Sequence, residues 1–211
     1  MDILPPVNID AYRPPPHYSV TLVWIADIEG LPRWAGNAMD GRTIIAGIEI
    51  PSTNPVFLTV VGIHILLGLA CVTTGAMAML SQKRAGRHPR NGTIYFWCLA
   101  GVFVTMTGLA AVRWAQDYHL FILGALSFAA ACFGREARRH RWRHWIRLHI
   151  AGMGTSYVLL LIAFYVDNGK SLPLWKELPA VTYWLLPAVI GIPLIVRALL
   201  RHPLVRQPQR P

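Results

Sequence analysis

Five stretches of this chain contain no Asp, Glu, Lys or Arg: residues 55–80, 93–112, 118–134, 148–166 and 178–196. Each approaches or reaches the roughly 17–25 residues that cross about 30 Å of hydrocarbon at 1.5 Å per residue. A soluble protein of 211 residues could bury one such helix; five in succession would leave it no polar surface. Only 14% of the chain is charged, against roughly 25% in a typical soluble domain. The expected fold class is an all-α membrane protein: a five-transmembrane-helix bundle preceded by an N-terminal external extension.

The net charge of +10 invites a nucleic-acid reading, but the charges are segregated in a way that excludes it. Lys83, Arg84, Arg87 and Arg90 follow the first span, six arginines from Arg135 to Arg147 lie between the third and fourth, and Arg197, Arg201, Arg206 and Arg210 follow the fifth. Fourteen of the 20 basic residues thus fall on one face, with Glu136 as the one acid among them. By the positive-inside rule that face is cytoplasmic. The expected localisation is the cell inner membrane, multi-pass, with the N-terminus external and the C-terminus in the cytoplasm. The run Arg135–Arg147, with His140 and His144, reads first as an anchor for anionic lipid headgroups.

Residues 1–54 form the extension, 55–200 the transmembrane domain and 201–211 a basic cytoplasmic tail. Pro5, Pro6 and Pro14 to Pro16 argue against a helix near the start. The start also lacks the basic region and continuous apolar core of a signal peptide, so export of the extension would fall to the first span. Tyr18–Ile28 and Thr43–Ile50 read as the two strands of a short β-hairpin. Spans are expected at Val56–Leu80, Thr93–Trp114, Asp117–Gly134, Trp145–Val166 and Pro179–Leu199. The very short link Ala115–Gln116 makes spans two and three antiparallel neighbours. Pro187 and Pro193 are expected to bend span five. Tyr95, Trp97, Trp114, Tyr118, Trp142, Trp145, Tyr165, Trp175 and Trp184 read as water-boundary aromatics, and Gly169 as a helix stop.

Small residues predict how the helices pack. His64, Gly68, Cys71 and Gly75 fall within about 60° of arc at 100° per residue. Gly101, Thr105 and Gly108 form a second stripe, and His149, Gly152, Met153 and Ser156 a third. Small faces let backbones approach closely in lipid. The cysteines Cys71, Cys98 and Cys132 lie within spans, without a CxxC pair, and read as packing residues.

Four histidines could carry chemistry. An ionisable residue inside a span is a functional-site hypothesis by default, and His64 lies about 12 Å into the first at 1.5 Å per residue. Against this stands a neutral ring hydrogen-bonded to a neighbouring helix. His64 and His119 fall in the outer half, His88 and His149 in the cytoplasmic half. Two pairs at different depths are what a two-haem bundle requires, with imidazole nitrogens as axial ligands of haem b. Two positions strain that scheme. His119 is only a few ångströms deep, and His88 precedes Pro89, which disfavours helix for the residue before it. A quinone pocket, or a metal held by His64, His119 and His149, uses the same residues. Arg113 and Asp117 beside His119 read chiefly as a turn cap. The HExxH, GxSxG and P-loop motifs are absent, and intramembrane carboxylates of the usual ion-relay kind are not evident. No catalytic residue is indicated.

The segment His144–Tyr157, continuing through Ala163–Asn168, resembles a stretch of uncharacterised, histidine-containing bacterial multi-helix membrane proteins. His64 four residues before Gly68, and His88-Pro89-Arg90-Asn91-Gly92-Thr93-Ile94-Tyr95, are similar to that group's intramembrane histidine and histidine–arginine–glycine–tyrosine turn. The likeness spans roughly residues 56–170. It implies a multi-helical fold and the importance of His64, His88, His119 and His149; it implies no particular reaction. The proline-rich extension departs from the group and suits recruitment into a larger assembly. Two functions follow as expectations. One is a redox or ligand-binding module whose histidines hold a haem or border a quinone. The other is a non-catalytic subunit that docks partner membrane subunits through its extension.

Overall fold

The computed structural model describes residues 43–45, 48–50, 54–81, 86–172 and 175–201. Five helices in it are long and apolar enough to cross a membrane: α1 (Pro55–Leu80), α2 (Arg87–Val112), α3 (Trp114–Arg139), α4 (Trp145–Asn168) and α5 (Ala180–Arg201). The fold is the expected all-α bundle. Each helix packs on the next in sequence, and α1 also touches α4.

Local chemistry explains the helix ends. Asn54 caps α1, its side chain accepting the Val56 N–H at 2.9 Å, and Pro55 opens the helix; proline costs nothing where the N–H has no helical partner. The same physics moves the start of α2. His88 was expected outside the span, yet α2 begins at Arg87, so His88 and Pro89 occupy its first turn. The first four N–H groups of a helix are unpaired in any case, so Pro89 removes no bond there.

The break between α2 and α3 is shorter than the expected Ala115–Gln116 link: Arg113 alone leaves the helical conformation, with φ −129° and ψ 46°. At the other end of α3 a tight turn leads into α4, with Arg141 (φ 50°) and His144 (φ 63°) in the left-handed region. The α4 helix ends at Asn168, followed by a short 3₁₀ turn, Gly169–Ser171. Gly169 is not there for a left-handed backbone, since its φ is −55°. A Cβ on it would instead stand 2.8 Å from the Tyr183 ring. The α5 helix runs through Pro187 and Pro193.

Two three-residue strands, β1 (Thr43–Ile45) and β2 (Ile48–Ile50), pair antiparallel, with Ile44 opposite Glu49. Both strands lie within Thr43–Ile50, one of the two segments expected to form strands. The other, Tyr18–Ile28, lies outside the described residues, as do the rest of residues 1–42 and the tail from residue 202.

Small residues do set the crossings, at particular positions. A Cβ on Gly152 would stand 2.7 Å from Gly134 Cα and 2.8 Å from the Ala130 carbonyl oxygen, so α3 and α4 meet backbone to backbone. A Cβ on Gly75 would stand 2.5 Å from the Tyr157 ring, and one on Gly101 2.8 Å from Leu67. Gly68 and Gly108, expected in the same stripes, have nothing within 4 Å of that position.

Between the helices lies a buried polar chain. Tyr95 Oη and Ser156 Oγ are 2.7 Å apart, and the Ser127 hydroxyl donates to the Ser156 carbonyl at 2.8 Å. Tyr157 donates to the Val72 carbonyl at 3.0 Å. Tyr95, expected at the water boundary, is 2% exposed: its hydroxyl finds a partner on α4, so the ring has no need to reach water. Trp97, Trp114, Tyr118, Trp142 and Trp184 are exposed, as boundary aromatics should be.

Candidate functional site

The end of the bundle that carries the arginine clusters brings His88 and His149 together. Helical structure through Pro89 places His88 on α2 opposite the last turn of α1, and its Nδ1 lies 2.8 Å from the Ala78 carbonyl. His149 is three residues before Gly152, on the face of α4 that meets α3 without intervening side chains. That approach lets its Nδ1 reach the Gly134 carbonyl at 2.9 Å. A carbonyl only accepts, so both rings carry their proton on Nδ1, and a neutral ring then has its lone pair on Nε2. This is the tautomer of a metal-ligating histidine whose other nitrogen is held by a backbone oxygen. The ring centroids are 6.4 Å apart with planes at 87°.

Asn91 sits on the same face of α2, three residues on from His88 and four before Tyr95. It is buried, 9% exposed, and among the described residues its amide has no hydrogen-bond partner. An unsatisfied buried amide costs about 1–3 kcal/mol. Nothing in the sequence pattern marked Asn91; its burial depends on how α2 is rotated against its neighbours.

The other two histidines go elsewhere. His64 Nδ1 is 2.8 Å from Thr105 Oγ1 on α2. With the Thr105 hydroxyl proton donated to the Gly101 carbonyl at 2.8 Å, its oxygen accepts from His64. His119 packs against Tyr118 and, across to α5, Trp184, with centroid separations of 5.6 and 6.2 Å. Arg113 and Asp117 pair at 3.9 Å, and Asp167 of α4 lies within electrostatic reach of Asp117, Arg113 and His119. His64, His119 and His149 form no common cluster. Among the described residues no three His, Cys, Asp or Glu side chains are grouped to hold a metal ion.

No family model matches the chain, and neither a curated protein nor a solved structure is similar to it. The likeness of His144–Asn168 to uncharacterised bacterial proteins therefore establishes no family. What the fold defines is a helical membrane protein with five candidate spans.

Proposed function

We propose that the protein is a membrane-embedded haem-binding module in which His88 and His149 would hold the haem. The observation that carries this reading is the pair itself: two imidazoles from different helices, each with Nδ1 held by a backbone carbonyl, with ring centroids 6.4 Å apart. Two imidazoles bound at about 2 Å to one metal have ring centres about 5 Å apart in a tetrahedral site and about 6 Å apart when trans. Among the described residues the protein offers two donors here rather than three or four. That suits a haem, whose macrocycle supplies the remaining ligands, better than a bare ion. A quinone suits the pair less well, because each neutral ring has already given its N–H to a carbonyl and cannot donate to a quinone oxygen. Arg87, Arg90 and Arg147 on α2 and α4 supply positive charge at the same end for the propionates, and the unpartnered Asn91 amide is a polar contact that a bound group could satisfy.

When bound, such a haem would carry single electrons. The chain's own part is to hold both rings in one tautomer through Ala78 and Gly134. By the positive-inside rule the basic end faces the cytoplasm. With His64 bonded to Thr105 and His119 packed against Trp184, this reading needs one haem rather than two.

The test is the visible spectrum of detergent-purified protein, expressed with ample haem, as isolated and after dithionite. Sharp reduced b-type bands are expected, lost in His88→Ala and His149→Ala and retained in His64→Ala and His119→Ala. A featureless spectrum from the wild type would overturn the reading and transfer its weight to the non-catalytic subunit, whose signature is co-purifying membrane chains.

A further inference from the structure

Two arginines of the α3–α4 junction lie over aromatic rings: Arg141 over Trp145 of the following helix, at 5.4 Å from the ring centroid, and Arg135, which alone of the two reaches across to α2. Its guanidinium lies 4.2 Å from the Phe96 ring centroid and 5.7 Å from that of Trp97, both on α2. The carboxylate beside it in sequence is engaged elsewhere: Glu136 meets His140 Nε2 at 2.9 Å and Arg139 at 3.9 Å. Among the described residues no carboxylate or other acceptor takes any of the five N–H groups of Arg135. A guanidinium held over an aromatic ring by cation–π attraction keeps all five donors, in the fork that matches two oxygens of a phosphate. Stacking also restricts the side chain in advance, so less entropy is lost on binding.

The surroundings point to what supplies the acceptor. Arg135 is four residues before the end of α3, about 6 Å along the helix axis at 1.5 Å per residue, which is headgroup depth for a span of this length. Trp97 is 63% exposed. Aromatic residues that frame a cation at the bilayer edge suit a lipid whose chains lie against the rings and whose phosphate meets the arginine. We infer that Arg135, stacked on Phe96 and Trp97, is a specific binding site for the phosphate of an anionic phospholipid. This narrows the diffuse attraction of the arginine run to the side chain held against α2, and it is independent of the haem reading.

Native mass spectrometry of delipidated, detergent-solubilised protein titrated with phosphatidylglycerol or phosphatidylcholine tests the assignment. Wild type is expected to prefer phosphatidylglycerol, and Arg135→Gln to weaken that binding about tenfold, as for the loss of a charge-assisted hydrogen-bonded pair. Arg139→Gln, which removes an arginine already paired with Glu136, should change it less than about twofold. Arg135→Lys keeps the charge without the fork and should fall near the Gln variant; thermal unfolding of both variants checks that the fold is kept. Equal phosphatidylglycerol binding by Arg135→Gln and wild type overturns the site. Wild-type binding by Arg135→Lys overturns the stacked fork as its basis. Full displacement of the lipid by millimolar inorganic phosphate would make this a small-anion site and overturn the lipid assignment.

Discussion

The two ends of the bundle hold their polar groups by different means. At the arginine-rich end, the two imidazoles bond to backbone carbonyls of neighbouring helices, Ala78 on α1 and Gly134 on α3. Those carbonyls are rigid, and the α3–α4 crossing that presents one of them is backbone against backbone at Gly134 and Gly152. At the opposite end, Arg113 pairs with Asp117 through side chains at 3.9 Å, with Asp167 and His119 within electrostatic reach and Trp184 against His119. A group held by backbone keeps one geometry, whereas a group held by long side chains adjusts to its surroundings. Preorganised ligands are therefore expected at the first end and adaptable charge balance at the second.

The comparison breaks most easily at the crossing. Gly152→Ala places a methyl inside the van der Waals distance of three backbone atoms, none of which can rotate away. It should cost about 3 kcal/mol by thermal unfolding in detergent, the upper part of the usual overpacking range. Gly108→Ala, with open space around the new Cβ, should be neutral or stabilising by up to about 1 kcal/mol through helix propensity. Equal effects from the two would show that the crossing is not the rigid element proposed here.

Asn91→Leu sharpens the same contrast from the side of the proposed ligand. Removing a buried, unpartnered amide should stabilise the haem-free protein by about 1 kcal/mol while weakening haem retention. Should stability fall instead, the amide is satisfied in the membrane and has no part in the site. Tyr95→Phe removes the hydroxyl between α2 and α4 and should cost about 1 kcal/mol, within the range measured for interhelical bonds in lipid. It leaves Ser156 with Ser127 as a partner at 3.4 Å, which should keep the loss small. The smallest effect is expected at the far end. Asp117→Asn, in a pair 3.9 Å long, should move unfolding by less than about 0.5 kcal/mol.

Much of the fold was legible because its signal is local. A stretch without charge marks a span wherever it occurs, and all five helices followed from that, with boundaries displaced by up to six residues at His88-Pro89. The proline rule failed there because the first turn of a helix has no bond for proline to break. Small-residue stripes pointed correctly to Gly75, Gly101 and Gly152 but also to Gly68 and Gly108, since periodicity reports a face and not whether a neighbour comes to it. The candidate site was half legible. His88 and His149 were assigned to the same end and do meet. His64 and His119 were assigned to the same half, yet they sit on helices that engage other partners, Thr105 and Trp184.

The amino-acid sequence by itself determined that the chain spans a membrane with five helices, where its basic residues collect, and which side chains could ligate or titrate. These follow from composition within a window of about 20 residues, the thickness of the bilayer. Only the tertiary structure decided which histidine meets which group, that Tyr95 lies in the core, that Asn91 is buried without a partner among the described residues and that Arg135 lies over aromatic rings of α2. Each of these depends on the rotation of one helix against another. That rotation is set by close packing around a few glycines and by buried hydrogen bonds between residues 24 to 85 positions apart, separations at which no local pattern in the chain carries information.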